Sequence, residues 1–497
     1  MTSLRDRAAL LAGRAAGASA RRLGRGGGTA LPGLVAGAIA SDLVRSLAER
    51  LPQGVVTVTG TNGKTTTAHL LAAILAQGGF EPLANRSGSN LERGLLATYV
   101  AAADRFGEVA QGGQAIGVLE VDEAELPRLF PRLRPRVATF LNLFRDQLDR
   151  YGEVDSVAEG WRAMLTELDA ETTLVLNADD PNVAELASQA AGRVITFGVD
   201  DHSVALGAVD HASDARFCPN GNRFKYDAIY MGHVGEWHCD CCGRFRPAPD
   251  VVAREIELGE DGSRVTIVVG ETALAIELPL PGLYVVYNAL AAAASAHALG
   301  VAPEVIASAL AAATAPFGRQ ERFQVDRREA RVLLAKNPAG LNEVLRTLAV
   351  TDGPLTVLAM LNDGIQDGQD VSWIYDADIE LLAGRELHLV CSGDRADDFA
   401  LRWVLAGIEP RSRPLPRAVG SMWSPPTPRC SMCAKRSRVV PAPLPTGRRR
   451  ARSARDEPSA RACPADRVAL LRRDERLCGS RQSDRDPQSR RRARDRD

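Results

Sequence analysis

The sequence predicts an α/β protein of two units. The first is a parallel sheet with helices on both faces, built around a phosphate-binding loop and carrying a small β ribbon insertion; the second is a smaller α/β unit of Rossmann type. Three observations predict this. A β-branched run, Val55 to Thr59, breaks into Gly60-Thr61-Asn62-Gly63-Lys64-Thr65-Thr66 and then into helix-forming sequence, the strand, glycine loop and helix order of a phosphate cradle. Strand, helix and strand patterns repeat from 55 to 198, which calls for parallel strands joined by crossover helices. A further alternating set begins after residue 315.

Bulk properties narrow the class. At 497 residues the chain is too long for one core. Hydrophobic content of 45% with 25% charged residues is that of a soluble globular protein. The net charge of -1 hides an asymmetry: from Arg411 to Asp497 there are 24 basic and 9 acidic side chains, so residues 1 to 410 carry -16. An acidic body argues against nucleic-acid binding. Only four lysines occur, Lys64, Lys225, Lys336 and Lys435, amid many arginines. Nine cysteines without even spacing fit a reducing cytoplasm better than a disulfide framework. No apolar run reaches the ~18 residues of a membrane span. The arginine-bearing start lacks the apolar core of a targeting peptide and reads as an amphipathic helix of the mature protein.

In chain order, residues 4 to 24 form that helix. Gly24 to Gly28 with Pro32 make a glycine-rich loop, either a second phosphate contact or a connector, and Asp42 to Leu51 a short helix before the cradle. In the cradle, Gly60 and Gly63 let backbone N–H groups approach an anion, Lys64 reaches outer phosphates and the Thr65 hydroxyl can ligate Mg²⁺. ATP is the guest this pattern points to. After a polar turn, Asn85 to Leu91, comes a helix from Gly94 to Ala103. A buried-type strand, Ala115 to Val121, ends in Glu120-Val121-Asp122-Glu123, acids placed to hold Mg²⁺ beside the loop, Glu120 first. Strands follow at 137 to 143 and 173 to 176. The stretch Arg216 to Pro247 alternates aromatics, glycines and turn residues and predicts two small hairpins; strands at 251 to 257, 264 to 269 and 272 to 278 lead to an alanine-dense helix. A hinge at Phe317 to Phe323 opens the second unit, whose strands at 331 to 335 and 356 to 361 are followed by an acid-rich loop, Asn362 to Asp376.

Several stretches resemble one family. The shortened loop TGTNGKTT, with Val58 where the first glycine of GxxxxGK would fall, resembles the ATP loop of the Mur ligases, ATP-dependent amide-forming enzymes of peptidoglycan synthesis. NRSGSNLERGLLA, NLFRDQLDRYGE, KNPAGLNEVL and the DGxDVSWIYD string from Asp367 to Asp376 are similar to the MurT branch. Most Mur ligases carry a histidine where Gln147 stands. The resemblance covers about residues 5 to 410. It implies a Mur-ligase-like ATPase domain over 1–314 with a zinc-ribbon-like insertion at 216–247, then a MurT-type C-terminal α/β domain over 315–410 that is left incomplete. The rest, 411–497, reads as a basic low-complexity tail that is disordered or, preferred on composition, translated out of frame.

The resemblance further implies nucleotide contacts at Asn177, Asn288 and Arg319, and an aspartate, Asp370 and then Asp367, that meets a partner's active site. The family's ribbon holds zinc with four cysteines. Cys218, Cys239 and Cys242 are present here, one expected cysteine is missing, and Cys241, His238 or His233 is left to supply a fourth ligand. The implied reaction is amidation of the α-carboxylate of D-glutamate in lipid II through an acyl phosphate. Ammonia would come from a separate GatD-type glutamine amidotransferase subunit, since this chain has no cysteine-histidine glutaminase signature. Rival readings are an amino-acid-adding Mur ligase or a folylpolyglutamate synthase, disfavoured because the only lysine between Lys64 and Lys336 is Lys225, and a nucleotide-binding scaffold without catalysis.

Overall fold

The computed structural model describes residues 3–22, 31–85, 90–104, 106, 109, 112–146, 154–208, 211–316, 320–325, 328–364, 369–410 and 467–472. Helices α1 (Leu4–Arg22), α2 (Leu31–Ile39) and α3 (Leu43–Ala48) precede β1 (Val55–Thr59) and α4 (Lys64–Gln77). The alternation continues through β2 (Glu81–Ala84), α5 (Glu92–Ala102), β3 (Ala115–Glu120), α6 (Leu126–Leu133), β4 (Val137–Phe140), α7 (Val154–Leu165), β5 (Thr173–Asn177), α8 (Pro181–Ala184) and β6 (Val194–Val199). Hairpin β7 (Lys225–Met231) and β8 (Val234–His238) is followed by β9 (Val251–Leu258), β10 (Ser263–Val269), β11 (Thr272–Leu278), α9 (Leu283–Ala298) and α10 (Pro303–Ala311).

Among the described residues one sheet runs in the order β11-β10-β9-β6-β5-β4-β1-β3-β2. From β2 to β9 neighbouring strands are parallel, and β9, β10 and β11 are antiparallel. Alternate residues of each central strand feed opposite cores, as the period of two requires. Val56, Val58, Val118 and Val175 join the layer of α4 and α9, whereas Val55, Leu119, Phe140 and Leu176 join the layer of α1, α5 and α7. Both faces are covered, which is why these strands read as continuous apolar runs. The register pairs Val58 with Glu120 and Thr59 with Phe140. The carboxyl ends of β3 and β4 are thereby set on either side of the loop after β1.

The second domain contains β12 (Glu321–Val325), β13 (Arg328–Leu334), α11 (Pro338–Ala349), β14 (Leu355–Met360), β15 (Leu387–Ser392), α12 (Ala396–Leu405) and β16 (Arg467–Arg472), with sheet order β12-β13-β16-β14-β15. Its core gathers Leu345, Val357, Ile374, Leu389 and Trp403. Buried Arg402 donates to the carbonyls of Ile374 (3.2 Å) and Ala377 (2.6 Å) and to Glu380, fixing the 372–380 segment on α12.

Three expectations change. The stretch around Pro32 is not loop: α2 begins at Leu31, and proline at a helix's second position sacrifices no hydrogen bond. Gly24 to Gly28 lie outside the described residues. The ribbon has one regular hairpin rather than two. Around 217–223 the chain closes in a tight turn, with the Cys218 N–H on Asn222 O (2.7 Å) and the Gly221 N–H on Cys218 O (2.8 Å), leaving length only for a single bridge, Phe217 to Arg223. Finally, most of 411–497 lies outside the described residues, but Arg467–Arg472 is a strand, parallel to β13 and β14 and between them. At least these six residues belong to a sheet.

Gly33 on α2 lies so close to α5 that a Cβ there would stand 1.8 Å from the Arg93 carbonyl oxygen. Gly33→Ala is expected to lower stability by about 1–3 kcal/mol in urea unfolding of the full chain, the typical range for overpacking, while leaving nucleotide binding unchanged.

Candidate active site

Gly60 (φ +133°) and Gly63 (φ +91°) take backbone conformations that side chains disfavour. A Cβ on Gly63 would also fall 2.1 Å from Asn288 Oδ1. The loop hangs on the segment that continues β4. Thr61 N–H donates to Asn142 O (3.0 Å), Asn62 N–H to Asn142 Oδ1 (2.9 Å), and Asn142 Nδ2 returns to Asn62 O (3.1 Å). The Thr61 hydroxyl both accepts from Phe144 N–H and donates to Phe144 O, each at 2.9 Å.

Lys64 opens α4 and is buried, its Nζ donating to Gly60 O (2.5 Å), Thr61 O (3.2 Å) and Glu123 Oε2 (2.8 Å). Burial works against its charge, but the carboxylates of Glu123, Asp122 and Glu120 outweigh it and hold the ammonium above its ordinary value. Next to it the Thr65 hydroxyl donates to Glu120 Oε2 (2.8 Å). The Glu120 backbone is clamped by the Asn85 amide, which accepts its N–H (2.8 Å) and donates to its carbonyl (2.9 Å). Thr65 and Glu120, both buried and both presenting oxygen, suit a hard divalent cation such as Mg²⁺. Glu123 was legible only as part of an acidic string; the structure places it on Lys64.

The loop opens into a cleft between the two domains. Asn62, Gly63, Thr66 and Asn288 form its polar floor, and Leu280, Tyr284, Leu333 and Val344 its apolar wall. Across it the amides of Asn62 and Asn337 exchange hydrogen bonds (3.1 and 3.4 Å), and Asn337 Oδ1 caps α11 through Gly340 N–H (2.8 Å). Asn288 Oδ1 accepts from the Thr67 hydroxyl (3.3 Å). Asn177 is buried and bonded to backbone, its Nδ2 on Leu141 O (2.8 Å) and its Oδ1 on Asp179 N–H (3.0 Å), and it is not among the cleft-lining residues.

The ribbon supports the loop from behind. Fully buried Asp180 accepts from Asn182 N–H (2.9 Å), Leu143 N–H (2.8 Å) and His233 Nε2 (3.3 Å). His233 Nδ1 accepts from Asp214 N–H (3.2 Å), so the ring proton sits on Nε2, and the ring packs against Phe144. Trp237 Nε1 donates to Ala178 O (3.0 Å) and Arg246 to Asp179 (2.6 Å). Burial raises the Asp179 carboxyl, and Arg246 offsets part of that rise. Sequence reasoning reached His233 only as a candidate zinc ligand and gave no sign that it meets Asp180, 53 residues away.

In the second domain Asp370 is exposed, and the Ser372 hydroxyl, together with the Ser372 N–H (2.8 Å), holds its carboxyl below the ordinary value. It does not line the cleft. Nearby Asp376 faces Arg145 (3.4 Å), and Asp378 meets His211 (2.6 Å) and Asn342 (2.8 Å). Asp367, Arg319, Gln147 and the turn from Arg86 to Ser89 lie outside the described residues. In the ribbon, the thiols of Cys218, Cys239 and Cys242 lie within 4.8 Å of one another.

A family model described as Mur ligase middle domain matches residues 58–246, and one described as MurT ligase C-terminal matches 334–417. The chain is 32% identical over 384 residues to the lipid II isoglutaminyl synthase (glutamine-hydrolyzing) subunit MurT of Staphylococcus aureus (strain COL), covering 77% of this chain and 84% of that one. It is 32% identical over 412 residues to the MurT subunit of Streptococcus pneumoniae (strain ATCC BAA-255 / R6), covering 82% and 88%. Among solved structures, a pseudomurein peptide ligase type C from Methanothermus fervidus superposes with a TM-score of 0.57 at 20% identity (87% of this chain, 78% of the other). MurF ligase from Thermotoga maritima, in complex with ADP, gives 0.56 at 13% identity (88% and 80%). These two likenesses bear on the fold.

Asp180→Ala would orphan the buried N–H of Leu143, at a cost of about 1–3 kcal/mol, and remove the bonds to the half-buried N–H of Asn182 and to Val183 N–H. Urea unfolding is expected to show a loss of several kcal/mol for Asp180→Ala and an unchanged midpoint for exposed Asp370→Ala.

Proposed function

This chain belongs to the MurT family of Mur ligases, and on that premise we propose that it uses ATP to amidate the α-carboxylate of D-glutamate in the lipid II stem peptide. The observation that carries the reading is the cluster of Lys64, Thr65, Glu120 and Glu123 at a glycine loop facing an interdomain cleft. Loop N–H groups and the amino end of α4 receive the phosphates, and the apolar wall suits a base. Lys64 exchanges its loop carbonyls and Glu123 for phosphate oxygens and stabilises the transferring phosphoryl. Mg²⁺, held by Thr65 and Glu120, would neutralise charge on the outer phosphates.

The substrate carboxylate takes the γ-phosphoryl group, giving an acyl phosphate and ADP. Ammonia then attacks the acyl carbon, the C–O bond to phosphate breaks, and one ammonia proton leaves with the phosphate, yielding D-isoglutamine. A separate GatD-type glutaminase subunit supplies the ammonia. Exposed Asp370, and then Asp367, is the aspartate that meets this subunit's active site, and Arg319, beside the cleft residue Gln320, is a nucleotide contact. The reaction takes place on the cytoplasmic side, where the lipid-linked substrate is made.

Amino-acid-adding Mur ligases commonly use a carbamoylated lysine near the metal. Here Lys225, the only lysine between Lys64 and Lys336, sits in the ribbon hydrogen-bonded to Asp240, which favours ammonia as the nucleophile. With the glutaminase partner present, the chain is expected to convert lipid II to its amidated form with ATP and glutamine, and with free ammonia in place of glutamine. Ligation of an amino acid with no use of ammonia would overturn the reading, and ATP binding without turnover would indicate a scaffold.

Lys64→Met is expected to cut turnover by about 10²–10³-fold, the scale of losing one preorganised charge-stabilising donor, with Lys225→Met unaffected. Glu120→Gln is expected to raise the Mg²⁺ concentration needed for half-maximal rate.

A further inference from the structure

Two turns bring the ribbon's thiols together. In one, Cys239 O accepts from Gly243 N–H (2.9 Å) and the turn carries Cys239 and Cys242. The other closes one residue sooner, with Gly221 N–H on Cys218 O (2.8 Å), and delivers Cys218 alone. The glycines that end both turns have positive φ, +80° at Gly221 and +70° at Gly243. The shorter turn thus has the same ending with no second thiol. Cys218 and Cys239 are buried and Cys242 is half-buried, and sulfurs within 4.8 Å of one another can share an ion with Zn–S bonds of about 2.3 Å.

Each candidate for a fourth protein ligand is engaged elsewhere. Cys241 is exposed and its sulfur accepts from Asn222 Nδ2 (3.0 Å). His238 faces Asp227 (3.5 Å) and Asp240 (3.8 Å). His233 is buried against Asp180 (3.3 Å). A closed structural zinc site takes four protein ligands, and three ligands plus solvent is the arrangement of an open one. The ribbon does not depend on the ion for its attachment, because Trp237, Arg246 and His233 already fasten it to the turn at Ala178, Asp179 and Asp180.

We propose that the ribbon is a three-thiolate zinc site, Cys218, Cys239 and Cys242, whose fourth position is open to solvent and to small exogenous ligands. Three thiolates leave the ion accessible, so the site exchanges metal and accepts an added thiol or imidazole. This inference is independent of the amidation chemistry.

The test is metal content and spectroscopy of the full chain. Purified without chelator, it is expected to hold one zinc per chain. Loaded with Co²⁺, it should show thiolate-to-cobalt charge transfer whose bands shift on addition of β-mercaptoethanol or imidazole. Cys241→Ser and His238→Ala should keep metal and spectrum, whereas Cys239→Ser should lose tight binding by 100-fold or more. Less than a tenth of an equivalent of zinc after incubation with the metal would overturn the site. Bands indifferent to added ligand, or Cys241→Ser behaving like Cys239→Ser, would overturn its open position.

Discussion

A buried ammonium is tolerable only where fixed partners replace water, and the arrangement around Lys64 follows from that constraint. Its charge is met by two loop carbonyls and Glu123, with Asp122 and Glu120 adding to the field. Those partners come from the ends of β1 and β3, so the strand register that places Glu120 opposite Val58 also decides whether the lysine can be charged. Three buried acids face one lysine there, and that excess of negative charge is what a divalent cation answers in the proposed reaction.

The loop's own shape is held by hydrogen bonds from outside it. Asn142 and Phe144 carry it, Asp180 carries Leu143, and His233 of the ribbon backs Asp180. An insertion that looks peripheral in the chain thereby touches the second layer of the phosphate cradle. On the other side Asp214 accepts from Arg145 N–H (2.9 Å), and Arg145 reaches Asp376 of the second domain.

Much of this was readable from the sequence, for definite reasons. The cradle was legible because backbone approach to an anion admits few residue types, and Glu120 because a strand's end fixes where its last side chain points. Asn142 was visible within NLFRDQLDRYGE, but its role was not, since reciprocal amide bonding depends on how two loops meet. Helix α2 escaped because Pro32 and Gly33 read as breakers; in place, one sits where no N–H is needed and the other lets α5 come close. The six-residue strand at 467–472 was masked by the arginine-rich composition around it, and a strand that short shows itself only through its neighbours. The cysteines could be counted, but whether a fourth ligand existed depended on the direction each candidate side chain takes.

The interdomain cleft has a kinetic consequence. The second domain has its own core, and among the described residues Ala339 of α11 packs into the core of the first. Across the boundary run the Asn62–Asn337 pair, Arg145 to Asp376, His211 to Asp378, and Arg322 and Arg331 to Asp261. Apart from the Asn62–Asn337 pair, each of these contacts has a solvent-exposed member, and such pairs resist rotation weakly, so the two bodies can swing apart on the microsecond-to-millisecond scale without unpacking either. Closure is then work done by the nucleotide as it fills the gap. Its apparent affinity is lowered by the share of molecules standing open, and any second protein that grips both bodies would tighten ATP without touching it.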